Sequence, residues 1–269
     1  KNLEEIIESF RRLVKIVPPD GLIIANASDP NVMALPREAK CRIVTYGLEN
    51  GDYHPSNIIN TPCGINFDLA GASFTLPMWG RHNIENTTGI LAMLIEAGIS
   101  KETLGKGLKK FRGIKRRQEI IDTVNGVTVI DDFAHHPTAV EKTIESMRQR
   151  FPGQRLWAIF EPRSNTSRRN IFQDEFVSAF SNADRVIIAS PYKSESIETN
   201  ERFDSEKVAS SIMKKGIDAH HIRDTENIIE FVTRQVAPKD VILVMSNGGF
   251  DNLISKLITA LKRRRMAGK

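Results

Sequence analysis

Val127-Thr128-Val129-Ile130-Asp131-Asp132-Phe133-Ala134-His135-His136-Pro137 is the stretch whose reading decides the fold. A short apolar run ends on two carboxylates, two imidazoles and a proline. A run of this length beside helical patterns predicts a strand buried in a parallel sheet. Proline suits a first helical turn, and Val140, Ile144 and Met147 follow it at helical spacing. The stretch therefore reads as strand, polar turn and amphipathic helix, with the polar turn at the carboxyl end of the strand.

The same unit recurs downstream. Leu156–Phe160, Val186–Ala189 and Val241–Met245 are further apolar runs that alternate with amphipathic segments. Repeated strand-helix units imply a parallel, right-handed α/β sheet. Upstream, Leu3, Ile6, Ile7, Phe10, Leu13 and Val14 recur at helical spacing up to Pro18-Pro19. Leu22–Ala25 and Arg42–Tyr46 read as buried strands, and Ile65–Leu76 alternates about Ala70-Gly71 as an antiparallel hairpin. Ile84–Ala97 reads as a helix entered through Gly80-Arg81-His82-Asn83. A basic loop at Gly113–Gln118 separates the two series, which predicts domains over 1–115 and 116–269.

The chain has 269 residues, 40% apolar and 26% charged, the balance of an ordinary globular protein. No run approaches the roughly 20 apolar residues that span a bilayer, and no secretory leader pattern is present. Cys41 and Cys63 lack metal-site spacing and read as plain thiols in a reducing compartment, so a cytoplasmic location is expected. Part of the net charge of +5 lies in Lys262-Arg263-Arg264-Arg265, read as a solvated helix end. The 18 aromatic residues are spread along the chain rather than interleaved with basic ones, which argues against a nucleic-acid surface. Lys1 opens directly inside a helical pattern without an initiating Met, so a longer protein is expected.

Ligands of open parallel sheets bind beyond the carboxyl ends of the strands. Four such ends here carry Asp131 to Pro137, Glu161-Pro162-Arg163-Ser164-Asn165-Thr166, Ser190-Pro191-Tyr192-Lys193-Ser194 and Ser246-Asn247-Gly248-Gly249-Phe250. Gly248-Gly249 offers bare amides to an anion, or makes a tight turn. Arg163 suits a two-pronged grip on a carboxylate, or a surface ion pair. His135 and His136 diverge and lack a third ligand, so hydrogen bonds to a nucleotide or to the turn itself are expected rather than metal. Asp131 or Asp132 could accept ribose hydroxyls, or cap the Pro137 helix. Asn83 and Asn86, three apart on a helix, could read a base edge, or Asn83 alone could cap. Arg116-Arg117 could reach phosphates, or form a solvated linker. No G-x-x-x-x-G-K-[ST] phosphate loop occurs; Gly105-Lys106-Gly107 falls inside a helical pattern.

Gly80-Arg81-His82-Asn83-x-x-Asn86, Phe111-Arg112-Gly113-x-Lys115-Arg116-Arg117 and the Asp-Asp-Phe-Ala-His-His-Pro run occur in the order found in Mur ligases, which the chain resembles throughout. The Glu161–Thr166 and Ser246–Phe250 runs are most similar to the branch that joins the murein tripeptide L-alanyl-γ-D-glutamyl-meso-diaminopimelate to UDP-N-acetylmuramate in peptidoglycan recycling. The L-alanine-adding branch is similar, but usually has Tyr and Gly where Phe133 and Ala134 stand. The resemblance implies the latter part of a central ATPase domain followed by a Rossmann-like parallel-sheet domain. It also implies that ATP and Mg2+ take part, with the main metal ligands upstream of Lys1. His82, Asn83 and Asn86 would meet adenine, and Arg116 or Arg117 phosphate. Asp131 or Asp132 with His135, and by extension His136, would face the ribose-phosphate region. Arg163, Ser164, Asn165, Thr166 and Asn247 would face the tripeptide. The implied reaction activates the lactyl carboxylate as an acyl phosphate, which the amine then attacks.

Overall fold

The computed structural model describes residues 3–267, the last three as backbone only. The Lys1 start and the Arg265 side chain lie outside the described residues. The chain divides into two compact units, residues 1–112 and 113–269, three residues before the expected junction. No helix among the described residues is long and apolar enough to cross a membrane.

In the first unit, helix α1 (Leu3–Ile16) precedes β1 (Leu22–Asn26), which pairs in parallel with β2 (Arg42–Tyr46). Between them lies the short helix α2 (Pro30–Ala34). Strands β3 (Ser56–Thr61), β4 (Gly64–Leu69) and β5 (Ala72–Leu76) form an antiparallel sheet, followed by α3 (Arg81–Glu96) and α4 (Lys101–Lys110). The β4–β5 turn places Ala70 and Gly71 both at positive φ, 50° and 76°, the backbone that a two-residue hairpin with right-twisted strands requires. Period-2 alternation then sends Ile65, Phe67 and Leu69 into one core, where Phe67 and Phe74 stack at 5.8 Å against Ile84 and Leu91 of α3. Leu3, Ile6, Phe10 and Leu13 of α1 stay exposed beside an apolar groove of about 470 Å³ that reaches Ile23 and Ile24 of β1.

The second unit is a six-stranded sheet in the order β10-β9-β8-β11-β7-β6. Its strands are β6 (Glu119–Val124), β7 (Val127–Asp132), β8 (Leu156–Phe160), β9 (Arg185–Ile188), β10 (Asp218–His221) and β11 (Val241–Met245). All neighbours are parallel except the β6–β7 hairpin. Every residue of β8 and β11 is buried, so these runs are apolar without alternation. Helices α5 (Pro137–Arg150), α6 (Gln173–Ala179) and α7 (Ser205–Lys214) cover one face; Val140, Ile144, Phe176, Val208 and Ile212 share its core. Helices α8 (Thr225–Gln235) and α9 (Leu253–Ala267) cover the other with Ile228, Val232, Leu253 and Leu257. Two expectations change here. The strands β3, β6 and β10 are additional. The basic tail is not wholly solvated: Lys262 pairs with Asp122 at 2.9 Å, and Arg264 donates to the Val236 carbonyl at 2.8 Å.

Two buried carboxylates hold this unit together. At the amino end of the sheet, Asp240 accepts from Arg155 Nε and Nη2, Trp157 Nε1 at 3.0 Å and the Ala237 N–H at 3.0 Å. At the carboxyl end, Asp132 accepts from the N–H groups of Gln118 and Ala134, both at 2.8 Å, and from the Thr143 hydroxyl of α5 at 3.4 Å. It thereby ties the loop before β6, its own turn and a helix to β7. Burial pushes the Asp132 carboxyl above its ordinary value, against the pull of those donors and of Arg117.

Asp240→Ala leaves the Trp157 N–H buried and unmatched. Urea unfolding should show a loss of at least about 1–3 kcal/mol from that donor alone, whereas an unchanged midpoint would deny the network its structural role. Asp132 carries the opposite pH signature to a salt-bridged acid. Its folded pKa is raised, so its contribution to stability is complete below the unfolded value of about 3.9 and is lost as pH rises through the folded value. The stability of the wild type relative to Asp132→Asn should therefore decline as the pH rises above about 4. Thermal melts of both proteins across that range measure it; a flat or rising difference contradicts the assignment.

Candidate functional site

β11 enters the sheet between β7 and β8. The helices after β7 and β8 lie on one face, and the helix after β11 lies on the other. Chains that leave neighbouring strands toward opposite faces open crevices at the carboxyl edge. Two cavities occupy these positions, one on each side of the loop after β11. The first, about 610 Å³, is lined by Asp131, Arg116, Ser246, Gly248, Phe250 and residues of α9. The second, about 530 Å³, is lined by Glu161, Arg163, Ser190, Tyr192, Arg223, Asp251 and neighbours.

One polar chain links the four strand ends. Asp131 of β7 meets Arg116 Nε at 3.3 Å. Arg116 Nη2 donates to the Ser246 carbonyl at 2.5 Å and to the Gly248 carbonyl at 2.8 Å, beyond β11. The Ser246 hydroxyl donates to Glu161 at 2.5 Å, beyond β8, and the other Glu161 oxygen accepts from Arg163 at 3.3 Å. The Arg163 guanidinium lies over the Tyr192 ring, beyond β9, at 3.6 Å. Burial pushes the Asp131 carboxyl up, while Arg116 draws it down.

The paired residues separate in the structure. Asp132 is buried with its oxygens committed internally, so it is not open to a ligand as expected; Asp131 is half-buried and lines the first cavity. Arg116, at φ 57°, is fastened to backbone carbonyls, whereas the Arg117 guanidinium is exposed, with an aromatic contact to Phe133 at 5.3 Å. His135 Nδ1 bonds to the Phe133 carbonyl at 2.9 Å, and His136 packs edge-on against Phe172 at 4.7 Å. The first imidazole thus serves the turn, and the second packs on a segment beyond β8. Neither aspartate caps α5: His136 stands at that position without a side-chain bond.

Other expected residues are also differently engaged. Ser164 donates to the buried Ser167 at 2.8 Å, and Asn165 accepts from Arg168 at 2.8 Å, so both brace the loop after β8. Thr166 is exposed. Asn247 keeps a buried carbonyl oxygen without a partner. In the first unit, Asn83 is buried and donates to the Trp79 carbonyl at 2.7 Å, while Asn86 is exposed, so the two do not form a paired amide face. The cap of α3 is Gly80 at φ 99°, not Asn83, and His82 is half-buried. Glu161, Ser246, Tyr192 and Arg223 were not among the expected site residues. Only their position after a strand could have suggested them.

Phe250, Asp251 and Asn252 all have positive φ, 44° to 56°. A left-handed turn of three non-glycine residues costs about 1–3 kcal/mol per residue and tends to occur at functional sites. This one forms walls of both cavities.

The profile of the Mur ligase middle domain matches residues 1–94, and that of the Mur ligase glutamate ligase domain matches 116–248. The chain is 33% identical over 262 residues to a UDP-N-acetylmuramate–L-alanine ligase of Acetivibrio thermocellus, covering 92% of this chain and 54% of that protein. It is 31% identical over 270 residues to the ligase of that name from Caldanaerobacter subterraneus subsp. tengcongensis, covering 98% and 58%. The solved murein peptide ligase of Psychrobacter arcticus is 28% identical with a TM-score of 0.69, over 97% of this chain and 55% of that one. A UDP-N-acetylmuramate–alanine ligase structure from Thermotoga maritima, 19% identical with a TM-score of 0.79 over 100% and 56%, shares the fold. The chain thus spans just over half the length of the curated relatives it matches. Two consecutive domain matches, identity across nearly its whole length and the β11 switch-point architecture place this chain in the Mur ligase family.

Proposed function

We propose that the protein containing this chain joins an amine to the lactyl carboxylate of UDP-N-acetylmuramate at the expense of ATP. The observation that carries the reading is the polar chain from Asp131 to Tyr192 across the strand ends, with a cavity on each side. Phosphoryl and acyl transfer depend on cations fixed in place around developing negative charge. Transfer of the γ-phosphoryl group to the carboxylate releases ADP; the amine nitrogen then bonds to the acyl carbon as phosphate leaves.

The residues present suit part of a nucleotide. Arg117 offers an exposed guanidinium to phosphate, and Asp131, in the wall of the first cavity, an acceptor to ribose. Among the described residues no group of three His, Cys, Asp or Glu side chains gathers for a metal. Mg2+ would therefore be held with the ATP phosphates mainly by groups of the longer protein. His82 and Asn86 in the first unit, open at least in part, are proposed to face adenine.

Two amines fit. The names of the curated relatives support L-alanine. The murein tripeptide is the second reading, supported by the Arg163 cavity. Its 530 Å³ lies in the range of about 300–1,000 Å³ that suits ligands larger than one small amino acid. The likeness to the P. arcticus murein peptide ligase adds to it.

ADP release by the full-length protein, with UDP-N-acetylmuramate and either amine, separates the two readings. Turnover with L-alanine alone establishes the first, turnover with the tripeptide alone the second, and turnover with neither overturns the ligase. The isolated 269-residue chain is expected to show none. The arginine pair should also divide experimentally. Arg117→Ala should lower kcat/KM for ATP by about tenfold or more, equivalent to about 1.4 kcal/mol, with little change in Tm. Arg116→Ala should lower stability by about 1–3 kcal/mol through the carbonyls it leaves unmatched. Equal effects on both measures from both variants would refute the division.

A further inference from the structure

The second cavity carries a hydroxyl coupled to a base. Ser190, two residues beyond β9, lines it. Its Oγ lies 3.1 Å from Nε2 of His221, the last residue of β10. Strand register sets this meeting. His221 pairs with Ile188 in the parallel β9–β10 ladder, and the Ile222 N–H donates to the Ile188 carbonyl at 3.1 Å. Ser205, in the first turn of α7, fastens the residue between by donating to the Ala189 carbonyl at 2.7 Å. Both side chains of the pair are half-buried.

The imidazole is held ready to accept a proton. Burial is the largest influence on it and pushes its pKa below the ordinary value. Glu206 and Asp204 at the start of α7 draw it up, and Arg223 beyond β10 pushes it down. A neutral imidazole offers a lone pair on one ring nitrogen. The carboxylates that line the same cavity are engaged elsewhere: Glu161 by Ser246 and Arg163, Asp224 by Asn227, and Asp251 by Lys256. Lys256 also holds the Asp251 carboxyl below its ordinary value. Of these groups, the Ser190–His221 pair is the base matched to a proton released near neutral pH.

We propose that Ser190 and His221 form a relay for the proton that the incoming amine must shed before it attacks. The relay rests on the ligase reading, with the amine in the second cavity. An ammonium N–H proton passes to Ser190 Oγ while the hydroxyl proton passes to His221 Nε2, which leaves a neutral amine and an imidazolium. The nitrogen lone pair then bonds to the acyl carbon. The bond from that carbon to the phosphate oxygen breaks, and a second N–H proton leaves with the phosphate. The half-buried imidazolium returns its proton to solvent. Ser190 is the group that touches the amine, and His221 acts through it.

The test is the pH dependence of amine use by the full-length protein, with L-alanine or the tripeptide, whichever turns over. In the wild type, kcat/KM for the amine should be level above the pKa of His221 and fall below it. In His221→Gln and Ser190→Ala the amine must arrive already deprotonated. Their kcat/KM should therefore climb about tenfold per pH unit toward the amine's own pKa, and lie about 100-fold below the wild type at neutral pH. KM for ATP should be unchanged, and Ser190→Thr, which keeps a hydroxyl, should restore the level profile. Variant profiles parallel to the wild type overturn the relay. NMR titration of the imidazoles in the 269-residue chain reads the pair without turnover. A His221 midpoint below about 6.5 that moves in Ser190→Ala supports the pair even if neither amine is ligated, whereas an unmoved midpoint overturns it.

Discussion

The insertion of β11 between β7 and β8 is the constraint on which the second unit depends. A strand in that position is hydrogen-bonded on both edges and covered on both faces, so all five of its residues are buried. Its exit toward α9, opposite to the exits toward α5 and α6, cannot be closed over by the neighbouring helices. Polar groups excluded from the sheet interior collect at that opening. Asp131, Glu161 and Ser246 come from strands far apart in sequence, yet Ser246 reaches both the Arg116 clamp and Glu161. The site therefore follows from strand order before any particular side chain is considered.

Strand periodicity then divides the paired residues of the opening motif. Successive side chains on β7 point to opposite faces. Asp132 accordingly turns inward to meet Thr143 of α5, and Asp131 turns out to Arg116 and the first cavity. One carboxylate serves the fold and its neighbour remains accessible. Arg116 and Arg117 separate in the same way, with left-handed backbone at Arg116 and Gln118 turning one guanidinium onto carbonyls and leaving the other exposed. The two imidazoles part as well: His135 bonds back to the Phe133 carbonyl within the turn, and His136 packs against Phe172 beyond β8.

Strands buried on both faces were legible because nothing but apolar residues fits there. Leu156–Phe160 and Val241–Met245 have the boundaries read from the sequence. β10 is Asp-Ala-His-His at the sheet edge, and β3 is largely exposed, so neither carries an apolar signature. β6 was hidden likewise, its Ile120 and Ile121 being exposed. Within the site, sequence position located the loops but not the partners inside them. That Ser164 would turn to Ser167, or Asn83 to Trp79, depends on local backbone geometry that residue types do not specify. The converse holds for Glu161: it looked like a flanking residue and is the buried link between β8 and β11.

The strained turn at Phe250, Asp251 and Asn252 connects these features. Left-handed backbone at three consecutive non-glycine residues persists only where surroundings over-determine it. Here Phe250 is buried in the α8–α9 core, and Asp251 is held by Lys256 of α9. The turn forms a wall of the Asp131 cavity on one side and of the Arg163 cavity on the other. Gly248, just before it, carries the carbonyl that binds Arg116 and the bare Cα against which Arg163 lies. The groups that meet at the two cavities are thus fastened to the same few residues. The two cavities therefore share one wall, set by those residues.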